Sequence, residues 1–71
     1  MDLRKLRHAT VLARFLSFTK AAESLNLTQS ALSRQVAALE EALGIALFQR
    51  KHRALALTPA GKAFHRSIGE T

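Results

Sequence analysis

Four polar side chains in the middle of the chain have the types and spacing of groups that bind a charged partner. They are Gln29, Ser30, Ser33 and Arg34. At about 100° per residue, the last three lie on the helix face away from a leucine stripe, and Gln29 stands in the first turn. Glu40 and Glu41 follow only in the C-terminal half of the same segment. An anion would therefore be met at the N-terminal end, where free backbone N–H groups also favour it.

The chain offers no support for catalysis or for a bound cofactor or metal. His8, His52 and His65 stand on different predicted elements, without the HExxH spacing of a zinc site. Each is expected at the surface, where His52 and His65 could add positive charge when protonated. The three glycines are isolated, so no Gly-rich phosphate loop is present. The absence of Cys excludes disulfides and thiolate metal ligands.

Two apolar stripes with helical spacing flank a break at residues 26–28. The first is Phe18, Ala21, Ala22 and Leu25, and the second is Leu32, Val36, Leu39 and Leu43. Within the break, Asn26 tolerates a left-handed helix end, Leu27 can plug the corner and Thr28 can cap the next helix. So short a break predicts two steeply crossing helices, a helix-turn-helix. The second helix then has the polarity of a recognition helix that enters the DNA major groove by its N-terminal residues.

Residues 2–16 are predicted to form a first helix with Asp2 as its N-cap. The stripe expected to pack on the helix-turn-helix is Leu3, Leu6, Ala9, Ala13 and Leu16. A second apolar arc, beside His8, consists of Val11, Leu12 and Phe15. This arc is either more core, because a three-helix unit surrounds its first helix, or a partner surface, because exposed aromatic side chains mark contacts. The remaining face, with Arg4, Arg7 and Arg14, is typical of a solvated surface.

The segment after the first helix begins with a cap. Ser17 is predicted to cap the second helix, with Thr19 and Lys20 in its first turn. Helix N-termini in this arrangement commonly touch DNA phosphates. A capping hydroxyl and a free N–H can share one phosphate, so the structural and the binding interpretation are compatible.

Beyond the third helix, which Gly44 is expected to end, the pattern favours a small hairpin. Runs 47–49 and 55–57 flank a polar tip that carries Arg50, Lys51 and Arg53. Because the tip lacks the Gly or Asn of a tight turn, a loose, mobile loop is expected. Such a basic tip beside a recognition helix can serve as a wing that reaches the DNA backbone or minor groove. A generic solvated loop is the alternative.

The last segment is predicted to be a helix with one apolar edge. Thr58 is its N-cap and Pro59 its first residue, where the missing N–H is tolerated. The apolar edge consists of Ala60, Phe64 and Ile68. We expect this edge to pair with another molecule or another domain.

Composition is consistent with one small nucleic-acid-binding domain. The chain has 71 residues and a formal net charge of +6, which points to an anionic partner, nucleic acid before a membrane surface. It contains neither an apolar stretch long enough to span a bilayer nor the apolar core of a signal peptide. A cytoplasmic protein is therefore expected, with no membrane partner.

Several runs of residues match a known family in type and order. In chain order they are Ser17-Phe18-Thr19-Lys20-Ala21-Ala22, Leu27-Thr28-Gln29-Ser30-Ala31-Leu32-Ser33-Arg34-Gln35, Leu39-Glu40, Leu43-Gly44, Leu47-Phe48-Gln49-Arg50 and Leu57-Thr58-Pro59-Ala60-Gly61. Together they cover nearly the whole chain with specific spacing. The pattern resembles the N-terminal DNA-binding domain of LysR-type transcriptional regulators.

The resemblance implies a mainly α winged helix-turn-helix with a three-helix core and a small β-hairpin over residues 1–58. The start of a dimerising linker helix would occupy residues 59–71. Three residues depart from the family pattern: Ser30 replaces a usual Pro, His52 replaces Gly at the wing tip, and Ala9 replaces an aromatic residue. In such regulators a small-molecule effector binds only through a C-terminal domain, which would lie outside these 71 residues. The resemblance also implies a bacterial protein associated with the nucleoid.

Sequence-specific binding of double-stranded DNA, at an inverted repeat and as a homodimer, is the function these observations favour. Base reading is assigned to Gln29, Ser30, Ser33 and Arg34. Backbone or wing contacts are assigned to Ser17, Thr19, Lys20, Thr28, Arg50, Lys51 and Arg53. The expected dimer interface contains Val11, Phe15, Phe64 and Ile68.

Two other functions agree less well with the sequence than DNA binding does. In a winged-helix module that binds proteins, the basic surface would only keep the domain soluble. Such a module gives no reason for cations to lie around the third helix. A cationic helix lying on a membrane disagrees with the turns and caps, which specify a compact fold.

Overall fold

A computed structural model describes residues 3–69, and the side chains of residues 3–67. Its elements, in order, are α1 (Leu3–Phe15), α2 (Phe18–Leu25), α3 (Gln29–Leu43), β1 (Phe48–Lys51), β2 (Ala54–Leu57) and α4 (Pro59–Gly69). This architecture confirms the predicted mainly α winged helix-turn-helix with a following helix. Among the described helices, none has the length and apolar character needed to cross a bilayer.

The buried face of α1 differs from the predicted stripe. Leu3 is 79% exposed and Leu16 is 40% exposed, so neither belongs to the core. The buried residues of α1 are His8, Ala9, Leu12 and Ala13. Leu12 is fully enclosed because α1 packs against both α2 and α3, and this bulky side chain fills the space between them. The second arc is therefore divided: Leu12 is core, whereas Phe15 is 40% exposed. The predicted cap Asp2 lies outside the described residues.

The helix-turn-helix is built by the predicted caps. Ser17 Oγ accepts a hydrogen bond from the Lys20 N–H at 3.2 Å, and Thr28 Oγ1 accepts one from the Ala31 N–H at 3.1 Å. Asn26 has φ 60° and ψ 41°, the left-handed conformation that ends α2. These local interactions fix where α2 ends and α3 begins, and thereby which residues form the first turn of α3.

Two adjoining apolar clusters hold the elements together. The first contains Leu12, Ala21, Ala22, Leu32 and Val36. The second contains Ala9, Leu39 and Leu47. Ala21 and Ala22 are almost completely buried at the helix crossing, where small side chains allow close approach of two backbones. Since Leu32, Val36 and Leu39 all face inward, the rotation of α3 about its axis is determined by the core.

The link from α3 to the hairpin uses a half-buried anchor that the sequence did not indicate. Gly44 ends α3 with φ 74°, as predicted. Glu40 Oε2 then accepts hydrogen bonds from the backbone N–H groups of Leu47 at 2.6 Å and Phe48 at 3.1 Å. Hydrogen bonds to a charged acceptor are stronger than neutral ones. Glu40 thus holds the start of β1 against α3.

The wing is a tight hairpin, so the expected loose loop at its tip was wrong. β1 and β2 pair antiparallel, with Arg50 opposite Leu55 and Lys51 opposite Ala54. Only His52 and Arg53 connect them, with φ values of 52° and 66°. Positive φ at both central residues defines the type I′ geometry, whose twist matches that of the strands. The match to the hairpin twist offsets the cost of two non-Gly residues in the left-handed region.

α4 is fixed to the core at its first turn, as its cap predicts. Thr58 Oγ1 accepts a hydrogen bond from the Gly61 N–H at 2.9 Å and donates one to the Ala46 carbonyl at 2.6 Å. At Gly61, a Cβ atom would collide with the carbonyl oxygen of Leu47, so only glycine fits this contact. Phe64 packs against the second apolar cluster.

Candidate nucleic-acid interface

The N-terminal half of α3 presents all four predicted base-reading side chains to solvent. Gln29, Ser30, Ser33 and Arg34 are exposed, whereas Leu32 between them is completely buried. Because Leu32 anchors the helix, the polar side chains emerge from a face whose orientation is fixed. The Ser30 hydroxyl lies 3.4 Å from the Thr28 hydroxyl, which already caps α3, so the first turn of α3 contains two adjacent exposed hydroxyl groups.

A cleft of about 280 Å³, here called the inner cleft, joins α2, α3 and the wing. Its polar lining residues are Ser17, Thr19, Gln29, Arg50 and Arg53. Two arginines from the hairpin, two hydroxyls from the start of α2 and the first residue of α3 therefore meet at one concavity. No acidic side chain is among its described lining residues. This composition suits a phosphate or another polyanionic surface.

A second depression, of about 230 Å³, runs between α3 and the hairpin. Ser33 lines it from α3 and Arg50 from β1, and Glu40 lies in it as well. The Glu40 carboxylate is engaged by the N–H groups of Leu47 and Phe48, which reduces its effect as a free negative charge. Arg50 borders both depressions and links the wing to the polar face of α3.

The remaining predicted backbone contacts are exposed but do not line the inner cleft. They are Lys20, Thr28 and Lys51. Lys51 lines a separate cleft, together with Lys62 of α4. The sequence did not indicate that Lys62 lies near Lys51, because only the fold brings α4 beside the hairpin.

The expectation that all three histidines lie at the surface was wrong for His8. Its side chain is buried, with 7% of its surface exposed, and Nδ1 is hydrogen-bonded to Oε1 of Gln35 on α3. A buried polar group needs such a partner, and this pair connects α1 to the residue next to Arg34. His8 precedes the buried Leu12 by four residues, a spacing that could have placed it on the buried face. His52 is exposed and His65 is half-buried.

The predicted dimer residues differ in exposure within the described part of the chain. Val11 is half-buried and packs on the first apolar cluster, whereas Phe15 is exposed. Phe64 is half-buried on the second cluster, so part of its surface already serves the core. The side chain of Ile68 lies outside the described residues. No group of three potential metal-ligating side chains occurs in the part of the chain that the structure describes.

Comparison with known proteins identifies the family. A model of the bacterial regulatory helix-turn-helix proteins of the lysR family matches residues 3–62. The chain belongs to this family. LysR-family membership confirms the resemblance drawn from the sequence, and the domain is of the LysR-type DNA-binding class.

The LysR-family relatives are named as regulators of transcription, which agrees with the lack of support for catalysis in the sequence. The chain is 47% identical over 64 residues to the uncharacterized HTH-type transcriptional regulator YcgK of Bacillus subtilis, covering 90% of this chain and 20% of YcgK. It is 47% identical over 68 residues to the glycine cleavage system transcriptional activator of Escherichia coli, covering 96% and 22%. The chain thus spans about a fifth of the length of these curated relatives.

Solved LysR-family structures share the fold closely. The BenM DNA-binding domain in complex with catB site 1 DNA superposes with a TM-score of 0.91 at 43% identity, covering 99% of this chain and 78% of that chain. The LysR-family regulator CbnR superposes with a TM-score of 0.89 at 36% identity, covering 99% and 24%.

Proposed function

We propose that this chain binds specific sequences of double-stranded DNA as the homodimeric DNA-binding domain of a transcriptional regulator. The observation that carries the proposal is the inner cleft, where the exposed start of α3 meets cations of the wing. A helix of this polarity, with a basic hairpin beside it, can enter the major groove while the wing follows the backbone into the minor groove. The BenM domain, 43% identical, is described in complex with DNA.

Base reading falls to the exposed side chains at the start of α3. Arg34 has the fork of donors that pairs with the O6 and N7 atoms of guanine, and Gln29 has the amide that pairs with adenine. Each such bidentate pair contributes about 1–3 kcal/mol of discrimination against the wrong base. Ser30 and Ser33 carry short hydroxyls that can bond to a base edge or to a phosphate.

Anchoring to the phosphate backbone falls to the residues around that face. Ser17 and Thr19 lie at the N-terminus of α2, and Thr28 lies at the N-terminus of α3. At both helix starts, N–H groups without a partner in the helix can donate to a phosphate. The cations with this role are Lys20, Arg50, Lys51 and Arg53. These contacts fix the position of α3 on the duplex and add affinity on any sequence.

Dimerisation would place two copies of α3 on an inverted repeat. In this proposal residues 1–58 form the DNA-binding unit, and residues 59–71 begin a linker helix that pairs with its copy. Contacts from Val11, Phe15, Phe64 and Ile68 would contribute to that interface. Two recognition helices related by a two-fold axis read half-sites about 34 Å apart. Because the matched region spans only about a fifth of the length of the relatives, we assign effector binding to the part of the regulator beyond these residues.

Selection of bound duplexes from a random pool tests this proposal. Two enriched half-sites in inverted orientation, with centres about one helical turn apart, are the expected result. Enrichment of a single, unpaired motif would contradict the dimer, and equal retention of all sequences would contradict specific reading. Repeating the final round of selection at two salt concentrations separates specific binding from purely electrostatic binding, because purely electrostatic binding weakens with salt alike on all sequences.

A further inference from the structure

A second basic cleft, here called the outer cleft, lies on the side of the hairpin that faces α4. Its volume is about 370 Å³, and its lining includes Leu16, Gln49, Lys51, Pro59 and Lys62. Both lysines are exposed, and they come from elements separated by the whole of β2. No acidic side chain is among the described residues of this lining. Two ammonium groups therefore border one concavity without a carboxylate to neutralise them there.

The two clefts use alternate residues of the same strand. Neighbouring side chains of a β-strand point to opposite faces, and here Arg50 lines the inner cleft while Lys51 lines the outer cleft. Arg53 adds to the inner cleft, and Lys62 adds to the outer one. The wing thus carries positive charge on both of its faces.

Lys62 is held beside the hairpin by a well-defined helix start. Its N–H donates to the Thr58 carbonyl at 2.8 Å, and Thr58 is itself bonded to Ala46 and Gly61. The close approach of Gly61 to Leu47 fixes the first turn of α4 against the chain that leads into β1. The side chain of Lys62 is exposed, and its origin on α4 is fixed.

We propose that the outer cleft binds the phosphodiester backbone on the far side of the minor groove, with Lys62 as a direct contact. This inference rests on the proposed function, in which the wing enters that groove. The minor groove is only about 6 Å wide and is bordered by one sugar-phosphate strand on each side. A wing placed in it has one strand against each face. The arginine face meets the strand shared with the major groove, and the Lys51–Lys62 face meets the other strand.

Substitution of Lys62 with glutamine tests the contact, and Arg66 offers a matched control. Arg66 is exposed on the same helix but does not line the outer cleft. On the duplex selected by the unmodified chain, Lys62→Gln is expected to weaken binding about threefold to tenfold at low salt and to reduce the salt slope by about one. Arg66→Gln is expected to change neither, and Lys62→Arg is expected to bind like the unmodified chain. Thermal unfolding of each variant checks that the fold is retained.

Neutral methylphosphonate linkages locate the contact on the DNA. Placed one at a time along the strand outside the wing, one or two of them should weaken binding of the unmodified chain but not of Lys62→Gln. Equal losses of affinity in Lys62→Gln and Arg66→Gln would overturn the outer-cleft contact. It would also be overturned if every methylphosphonate linkage weakened binding of the unmodified chain and of Lys62→Gln equally. If the outer-cleft contact is overturned but Arg34→Ala still alters base preference, the proposed function stands without the outer-cleft contact. Absence of any sequence preference in the unmodified chain would overturn both the proposed function and the outer-cleft contact.

Discussion

At the tip of the wing, His52 and Arg53 occupy a backbone region that side chains with a Cβ disfavour. Both have positive φ, which gives the two-residue connection between β1 and β2 the type I′ geometry. The consequence for binding is that Arg53 starts from a fixed turn rather than from a mobile loop. A fixed origin reduces the conformational entropy lost when the arginine is ordered on DNA.

His52→Gly is expected to raise the free energy of unfolding by about 1 kcal/mol, because glycine adopts positive φ without a Cβ clash. Urea denaturation measures the change. Ala54→Gly is the matched control: Ala54 lies two positions further on, in extended strand β2, where glycine should instead lower stability by about 0.5–1 kcal/mol. A loss at His52 as large as the loss at Ala54 would show that the turn is not strained.

The helix caps, which act through local backbone chemistry, were predictable from the sequence, whereas the turn at the wing tip and several contacts across the fold were not. Asn26, Thr28 and Gly44 cap helices through neighbours within a few residues, and their roles were predicted correctly. His8 was misplaced because the sequence left open whether its neighbouring arc, which contains Leu12, faces the core, although the spacing of four residues to Leu12 indicated a shared face. Lys62 was missed because its position beside Lys51 exists only after α4 has packed.

Among the elements, α4 depends most on a single close contact. It begins at Pro59, is capped by Thr58, and approaches the chain before β1 so closely that Gly61 has no room for a side chain. The sequence predicted the cap and the start of this helix because both are local. It did not predict the close approach, since nothing near Gly61 in the sequence indicates the distant Leu47 carbonyl.

Gly61→Ala is expected to lower the free energy of unfolding by about 1–3 kcal/mol, because the added methyl group displaces α4 from Leu47. Helix propensity alone predicts the opposite sign, a gain of about 1 kcal/mol for alanine over glycine. Ala63→Gly, at an exposed position of the same helix, measures the propensity contribution separately. Stabilisation by Gly61→Ala, comparable in size to the loss in Ala63→Gly, would contradict the close packing.

For the whole molecule, the distribution of charge matters more than its sum. The formal net charge of +6 predicts an anionic partner but not where it binds. The fold places Arg50 and Arg53 beside Gln29 and gathers Lys51 with Lys62 on the other face of the wing. Glu40, the acidic residue nearest to this surface along α3, is occupied by backbone N–H groups. We expect the wing and α3 to present these cations to one polyanionic partner.

The most direct test compares Arg34→Ala with Lys51→Ala on the selected duplex and on every single-base variant of it. Arg34→Ala is expected to lose about 1–3 kcal/mol of base discrimination at one base pair per half-site and to leave discrimination at the other positions unchanged. Lys51→Ala should weaken binding alike on all duplexes and lower the salt slope by about one. A uniform loss in both variants would contradict the division between a helix that reads bases and a wing that holds phosphates.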